Sequence, residues 1–495
     1  MFDKVLVANR GDVAIRVMRA CRELGVETVG IYSEADRNAL HVRYADEAYP
    51  IGGESLRSSY LQIGRIVDVA IRSGADAVHP GYGFLAESPQ FAQACAEAGL
   101  SFIGPNSDTL HLLHDRLKLN KKLQEATLPV LPVRRESLDA EACLKAAEQI
   151  GFPLLVRPTG VSGGAGERVA LSSDELAALL TTYRRETEEP RSGVYLEPWL
   201  PAARRIEIHV LADHDGQVIY LGDSEGTIRR RHQKLIEESP SPAMTPELRQ
   251  EMGQIACDIA RIIGFVGIGT VEFWLDSQQR YYFLNMNPRL WVGHPVIEMV
   301  TGIDLVKEQI RIASGRRLRY RQEDAVMRGH AIECRIHAED PYDGFKPSVG
   351  QITRLIEPGG PFTRVETGVY EGFQVSYYYD PLLTKLVVWG ESRGEAILRM
   401  RRALAEYRVV GVKTNLPFLQ HIMDRTSFIG GQFDLSKEDE YFTVSGGIRD
   451  ELLKAAAIAA ALLAYRQRTQ SLTAFRVTQR PSPWKVAGRW EVMGE

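Results

Sequence analysis

Hydrophobic and polar positions repeat with two different periods near the start of the chain. Residues 4–9 (KVLVAN) form a short apolar run typical of a strand, residues 10–25 place apolar side chains at helical spacing, and residues 27–33 (ETVGIYS) form a second strand. Two further apolar runs continue the series before residue 106. Strands and helices that alternate at this pace predict βαβ units, so residues 1–112 are expected to form a doubly wound parallel sheet.

The pattern then changes from strand–helix alternation to paired strands. Residues 152–158 (FPLLVRP) lead into a Gly-rich stretch that returns as a strand at 168–171, which predicts a hairpin closed by a loop. Residues 269–276 and 281–287 predict a second β pair, and residues 245–264 predict an amphipathic helix. These changes of pattern divide the chain at about residues 112, 330 and 444.

Composition and charge narrow the class of protein. The chain has 495 residues, of which 44% are hydrophobic and 25% charged, as in ordinary globular proteins. A net charge of −4 argues against a basic surface of the kind that binds nucleic acid or anionic membranes. Five cysteines without a CxxC pair argue against disulfides or zinc, and the longest apolar run, residues 455–464, is too short to span a bilayer. The sequence therefore predicts a cytoplasmic protein that binds neither nucleic acid nor membrane.

Six strings occur in order along the chain: Ala8–Arg16 (ANRGDVAIR), His79–Ser88 (HPGYGFLAES), Phe102–Pro105 (FIGP), Arg229–Pro242 (RRRHQKLIEESPSP), His294–Leu305 (HPVIEMVTGIDL) and Glu333–Pro341 (ECRIHAEDP). Over roughly residues 1–444 the chain resembles the biotin carboxylase component of acetyl-CoA and related acyl-CoA carboxylases. The resemblance implies ATP- and bicarbonate-dependent formation of carboxyphosphate, whose CO2 passes to biotin on a carrier domain.

The resemblance also implies an α/β multidomain fold of the biotin carboxylase type. Its expected parts are an N-terminal Rossmann-like domain, an ATP-grasp domain with a mobile lid, a C-terminal mixed β-sheet domain, and a helical or β extension that could dock another protein of the complex. The corresponding boundaries are 1–112, 113–330 with the lid at about 131–204, 331–444 and 445–495.

Several residues at the implied phosphate site depart from the family pattern. Arg116 and Arg157 stand where the family has lysine. Both substitutions keep the positive charge, but the guanidinium is planar and broader than the ammonium of lysine. The Gly-rich loop keeps Gly163 and Gly164 but is interrupted by Val161 and Ser162. The backbone N–H groups of the two glycines are expected to surround phosphate oxygens. Glu167 adds a negative charge close to the expected phosphates, which disfavours their binding.

The implied nucleotide contacts are altered in the same way. Glu197 and Leu200 occupy the positions that contact adenine and ribose, but the intervening lysine of the family has become Pro198. Arg205 replaces a histidine of this region, while His232 is kept. The nucleotide pocket is therefore expected to be recognisable but compromised.

The implied magnesium site has lost one of its ligands. The family uses two glutamates on neighbouring strands and an asparagine. Glu272 and Asn287 are kept, but Asn285 replaces the second glutamate and removes one negative charge. ATP and Mg²⁺ are the expected cofactors, with weakened binding.

The largest departure lies in residues 289–295, where the family motif reads Arg-x-Gln-Val-Glu-His-Pro and its glutamate is the base toward bicarbonate. Here Gly293 replaces that base, bulky Trp291 replaces the glutamine, and the turn offers no other acidic residue. Loss of a general base typically costs about 10²–10⁴ in rate. The expected catalytic residues that remain are Arg289, Lys234 and Arg335, the last at the position that faces the biotin enolate.

The scaffold is kept, including the residues that the resemblance places at a dimer contact, Arg19, Glu23, Phe362 and Arg364. Residues 482–494 are similar to the start of a region that docks the carboxyltransferase in larger α chains. The chain has no Met-Lys-Met motif, so biotin is expected on another polypeptide.

Loss of site residues beside an intact scaffold favours one hypothesis over two others. It predicts a catalytically impaired subunit of an acetyl-CoA or other acyl-CoA carboxylase, in the context of fatty acid biosynthesis. Its expected partners are an active biotin carboxylase paralogue in a homo- or heterodimer, the biotin carboxyl carrier protein and carboxyltransferase subunits. The first alternative is an active biotin carboxylase, and the second is an ATP-grasp ligase or nucleotide sensor with another substrate.

Overall fold

The computed structural model of the chain describes residues 1–159, 167–186, 193–200, 203–230, 233–432 and 454–466. The chain divides into two compact units, Met1–Tyr441 and Phe442–Glu495, and the described part of the second unit is a helix over residues 454–466. No helix within these described ranges is long and apolar enough to cross a membrane. Three predicted site residues, Gly163, Gly164 and His232, lie outside them, as does the segment 482–494.

The first unit begins with a five-stranded parallel sheet in the order β3-β2-β1-β4-β5. Its elements are β1 Lys4–Val7, α1 Gly11–Glu23, β2 Glu27–Ser33, α2 Leu40–Tyr44, β3 Glu47–Gly52, α3 Ile63–Ser73, β4 Ala77–His79, α4 Pro89–Glu97, β5 Ser101–Phe102 and α5 Ser107–His114. The strand order turns back at β1, so the chain winds in both directions from it, and the predicted doubly wound sheet is confirmed.

A small four-stranded antiparallel sheet follows, in the order β6-β9-β7-β8. Its elements are α6 Arg116–Glu125, β6 Arg134–Ser137, α7 Ala140–Ile150, β7 Leu154–Pro158, β8 Arg168–Ala170, α8 Ser173–Glu186 and β9 Gly193–Pro198. The predicted hairpin is present, because β7 pairs with β8 and Leu154 lies opposite Ala170. This sheet and its two flanking helices α7 and α8 share one apolar core.

The largest sheet has eight antiparallel strands in the order β14-β13-β10-β11-β12-β15-β22-β20. Its first elements are β10 Arg204–Ala212, β11 Val218–Arg230, β12 Gln233–Ser239, α9 Pro246–Ile263, β13 Gly267–Leu275, β14 Tyr281–Asn287, α10 His294–Thr301 and α11 Leu305–Ala313. All nine residues of β13 are buried, as expected for a central strand that is covered on both faces. The predicted β pair of β13 and β14 and the predicted amphipathic helix α9 are both present.

The sheet continues into the C-terminal part of the first unit, where β12 pairs with β15. The remaining elements are β15 His330–His337, β16 Glu339–Asp340, β17 Lys346–Pro347, β18 Gly350–Gln351, β19 Arg354–Ile356, β20 Thr363–Thr367, β21 Gln374–Val375, β22 Leu382–Gly390, α12 Arg393–Glu406, β23 Arg408–Val410, α13 Leu416–Asp424 and α14 Thr426–Ile429. The sheet therefore carries side chains from sequence-distant strands toward one place, where the candidate site lies.

Candidate active site

One cavity of about 760 Å³ is lined by residues of the N-terminal sheet region and of the eight-stranded sheet. It brings together eight residues that the sequence predicted for the site: Arg116, Arg157, Lys234, Glu272, Asn285, Asn287, Arg289 and Arg335. Leu200 is not among the lining residues and packs instead beside Trp274 and Leu284. Residues spread over more than 200 positions of sequence thus share one cavity.

One end of the cavity carries a cluster of arginines and glutamates. Both nitrogens of the Arg116 fork donate to Glu197, with Nη2 2.7 Å from Oε2. Arg157 Nη1 lies 3.0 Å from Glu167 Oε1, and Arg205 Nη2 lies 3.6 Å from the other oxygen of Glu167. Three guanidiniums and two carboxylates therefore lie together at this end of the cavity.

The pKa of Arg157 reflects the closeness of the three guanidiniums. Burial lowers the pKa of Arg157, and the neighbouring guanidiniums of Arg116 and Arg205 lower it further, against the opposite effect of Glu197 and Glu167. Arg157 Nε is buried and makes no hydrogen bond to any described residue. A buried donor without a hydrogen bond, among three guanidiniums, suits an anionic ligand such as a polyphosphate.

The expected metal ligands lie on two adjacent strands. Glu272 on β13 lies opposite Asn285 on β14, and Asn287 Nδ2 donates to Glu272 Oε1 at 3.1 Å. Burial raises the pKa of Glu272, but Lys234 and Arg205 lower it by more, so the carboxyl is held ionised. One carboxylate and two amide oxygens are hard ligands of the kind that Mg²⁺ prefers, with room for phosphate oxygens to complete the shell.

Lys234 and Trp291 meet at another part of the cavity wall. Lys234 Nζ forms an ion pair with Glu207 and lies 3.9 Å from the centre of the Trp291 ring. Burial lowers the pKa of Lys234 to about 8, although the carboxylates of Glu237 and Glu272 oppose the shift. Lys234 therefore changes charge close to physiological pH.

The two remaining arginines are each held by carboxylates. Arg289 Nε donates to Oε1 of Glu87, a residue of the N-terminal sheet region, at 2.6 Å. Arg335 Nε donates to Glu333 Oε1 at 2.9 Å, and its Nη2 donates to Glu237 Oε2 at 2.7 Å. Glu333 lies on the same strand as Arg335, β15, whereas Glu237 lies on β12.

Sequence reasoning missed three carboxylates from other parts of the chain: Glu87 in the turn before α4, Glu207 on β10 and Glu237 on β12. Glu237 is fully buried on β12, and its carboxylate lies against the backbone of Gly293. A Cβ added at Gly293 would stand 2.2 Å from Glu237 Oε2. The local indication was a pair of acidic residues, Glu237 and Glu238, directly after the apolar pair Leu235 and Ile236.

The predicted dimer residues lie outside the cavity. The Arg19 side chain is 41% exposed and Phe362 is 55% exposed, while Glu23 is paired with Lys307. Arg364 Nη1 lies 2.8 Å from Glu298. The dimer contact stays a prediction.

Three family models match consecutive parts of the chain. The biotin carboxylase N-terminal domain matches residues 1–110, the ATP-binding domain of the carbamoyl-phosphate synthase L chain matches residues 115–321, and the biotin carboxylase C-terminal domain matches residues 333–437. The domain boundaries and the lid proposed from the sequence stay predictions.

Similar proteins are carboxylase components. The chain is 48% identical over 444 residues to one of the subunits of pyruvate carboxylase from Methanothermobacter thermautotrophicus, a match that covers 89% of this chain and 90% of that protein. It is 44% identical over 445 residues to biotin carboxylase 1 of Bacillus subtilis, covering 89% and 99%. It also resembles, with 43% identity and a TM-score of 0.86, the biotin carboxylase domain dimer of Hydrogenobacter thermophilus 2-oxoglutarate carboxylase solved with MgADP, ADP and bicarbonate, covering 90% of this chain and 100% of that one.

The prediction of a catalytically impaired subunit is therefore wrong. Proteins that match nine-tenths of the chain at 44–48% identity are named as a biotin carboxylase and a carboxylase subunit, and they support the first alternative instead. The suspected degeneracy of the site and the paralogue partner that followed from it have no support. The error came from judging each substitution alone, because the space that opens at Gly293 is filled by the carboxylate of Glu237.

Proposed function

The chain belongs to the biotin carboxylase family, and on that premise we propose that it is an active biotin carboxylase. It uses ATP and bicarbonate to carboxylate biotin that is attached to a separate carrier protein. The observation that carries the proposal is a single cavity shared by the Arg116–Arg157 cluster, the Glu272–Asn287 pair and the cations Lys234 and Arg335.

MgATP is the proposed cofactor. Arg116 and Arg157 hold the phosphates, because both line the cavity and the buried Arg157 Nε makes no hydrogen bond to a described residue. Glu272 and Asn287, with Asn285 beside them, hold magnesium together with phosphate oxygens. Magnesium held by these residues would supply positive charge to neutralise the phosphates.

Bicarbonate and biotin belong to the part of the cavity around Trp291. Lys234 and Arg289 supply positive charge for bicarbonate, and both lie beside the Trp291 ring, at 3.9 and 5.4 Å from its centre. Arg335 faces the enolate that develops on biotin. These cations act in a largely buried setting, where charge stabilisation is stronger than in water.

The proposed partners are the biotin carboxyl carrier protein, carboxyltransferase subunits and a second copy of a biotin carboxylase chain. Arg19, Glu23, Phe362 and Arg364 are the proposed dimer residues. The final acceptor of the carboxyl group is chosen by the carboxyltransferase, so an acyl-CoA acceptor and a role in fatty acid biosynthesis stay predictions. The named relatives include carboxylases of pyruvate and 2-oxoglutarate.

Bicarbonate-dependent ADP formation by the purified chain, with MgATP and free biotin, tests the proposal. We expect turnover that requires bicarbonate and falls about 10- to 100-fold in Arg289→Ala, because a charged hydrogen-bonding partner is removed. Arg261→Ala, on the exposed side of α9, should leave turnover unchanged. ADP formation that ignores bicarbonate and biotin would contradict the proposal and favour a ligase with another substrate.

The carboxylate of Glu167 predicts a specific effect on ATP binding. It lies 3.0 Å from Arg157 and 3.6 Å from Arg205, so it competes with the triphosphate for both cations. We expect Glu167→Gln to lower the KM for ATP about tenfold, since it removes one like charge beside the phosphates. Steady-state kinetics at varied ATP measure this, with Glu175→Gln on the exposed face of α8 as the matched control. An increase in KM would show instead that Glu167 is needed to hold Arg157 in place.

A further inference from the structure

Position 293 holds glycine for space and not for backbone freedom. Its φ of −84° and ψ of 17° are adopted by other residues in turns, so no left-handed conformation requires glycine here. A Cβ at this position would stand 2.2 Å from Oε2 and 2.5 Å from Oε1 of Glu237, which is closer than atoms approach each other. Any larger residue at 293 would therefore displace the Glu237 carboxylate.

The Glu237 carboxylate is held from three directions. Oε1 accepts from the indole Nε1 of Trp291 at 2.6 Å and from Ser224 Oγ at 3.1 Å. Oε2 accepts from Arg335 Nη2 at 2.7 Å. Trp291 and Arg335 line the cavity, whereas Glu237 itself is 0% exposed. Glu237 is therefore joined to the cavity wall by its hydrogen bonds to these two residues.

The charge of Glu237 is stable at neutral pH. Burial raises the pKa of its carboxyl, but Lys234 and Arg335 lower it by more, so the net shift is downward and the group stays ionised. Charge-assisted hydrogen bonds to an ionised acceptor are the shorter and stronger kind. The carboxylate therefore restrains Trp291 and Arg335 more firmly than a neutral group of the same shape would.

We propose that Glu237 is a positioning residue for biotin carboxylation: lodged in the space that Gly293 leaves open, its carboxylate fixes Trp291 and Arg335 in the cavity wall. The inference rests on the proposed function. It explains two departures from the family motif together. Trp291 donates a hydrogen bond to the carboxylate, and Gly293 leaves the space that the carboxylate occupies.

The first test is a split in the kinetic constants of Glu237→Gln, which keeps the shape and removes the charge. We expect kcat/KM for biotin to fall about 100-fold, as for displacement of a positioned group by about 1 Å, while the KM for ATP changes less than about twofold. Glu308→Gln is the matched control, because Glu308 is also buried and paired with two arginines but lies outside the cavity lining. A fall in kcat/KM for biotin no larger than that of Glu308→Gln, together with a lowered Tm, would indicate a merely structural role and overturn the proposal.

The second test asks whether positions 237 and 293 share one space. Gly293→Ala should lower kcat/KM for biotin about tenfold or more in the native background, because the added Cβ displaces the carboxylate. In a Glu237→Ala background the same change should add less than about twofold, because the clashing atoms are gone. Equal effects in both backgrounds would show that the two positions act independently and would overturn the proposal.

The third test does not depend on turnover, so it separates this inference from the proposed function. In protein labelled with 5-fluorotryptophan, the Trp291 resonance is identified by its loss in Trp291→Phe. Glu237→Gln should shift or broaden that resonance, whereas Glu308→Gln should not. Absence of bicarbonate-dependent turnover in the native chain would overturn the function alone, and an unmoved Trp291 resonance would overturn the positioning role alone.

Discussion

Replacing Lys234 with methionine is expected to lower bicarbonate-dependent turnover by about 10²–10³-fold, as removal of one preorganised charge donor does in other active sites. Lys234 is buried in the cavity wall, paired with Glu207 and in contact with the face of Trp291. Methionine has a similar length and keeps the contact with the ring, so the variant removes the charge with little change in packing. The measurement is ADP formation at saturating ATP.

The same residue predicts the alkaline limit of activity. Because the pKa of Lys234 is lowered to about 8, its ammonium is charged below that pH and loses its proton as the pH rises. We therefore expect kcat/KM for bicarbonate to fall as the pH rises through about 8. An arginine stays charged over this range, so Lys234→Arg should lose this alkaline fall even if its absolute rate is lower.

Lys413→Met provides the control, because Lys413 is 64% exposed and its partner is Asp340. It should keep both the native rate and the native pH profile. A Lys234→Met variant that retained most of its activity would show that the positive charge at this place is not used. An alkaline fall that persisted unchanged in Lys234→Arg would assign the titration to another group.

The sequence predicted the local elements better than their assembly. Helical and strand periodicity located β1, α1 and β2, the β13–β14 pair and helix α9, because each depends on neighbouring residues. The pairing of β12 with β15 could not be predicted, since it joins strands almost 100 residues apart across the boundary expected near residue 330. Long-range pairing of this kind leaves no periodic trace in either strand.

The site was predicted by resemblance and not by geometry. Eight expected residues lie in the cavity lining, but Glu237 was missed because a substitute carboxylate was sought only within the turn around Gly293. The two positions are 56 residues apart in sequence, and only the fold brings them into contact. For the same reason, the hypothesis of an impaired subunit judged single positions and did not consider their contacts with other strands.

The stability of the first unit is expected to depend strongly on Arg16, and Arg16→Leu should lower its free energy of unfolding by about 3 kcal/mol. Arg16 on α1 is buried, and its Nη2 lies 2.9 Å from Glu298 Oε1 on α10 and 2.6 Å from Asp304 Oδ1, which caps α11. Removal of one partner from a buried ion pair leaves an uncompensated charge. Arg364 still contacts Glu298, so we expect the lower end of the usual range of about 3–5 kcal/mol.

Urea and thermal unfolding followed by tryptophan fluorescence measure this effect, and Arg22→Leu is the matched control on the same helix. The Arg22 side chain is 62% exposed and lies 4.0 Å from its nearest carboxylate partner, Asp46, so its loss should change the free energy of unfolding by less than about 0.5 kcal/mol. An effect of Arg16→Leu as small as that of Arg22→Leu would mean that leucine replaces the buried guanidinium without loss of stability. The contact between the N-terminal sheet region and helices α10 and α11 would then depend on its apolar core alone, which both regions share.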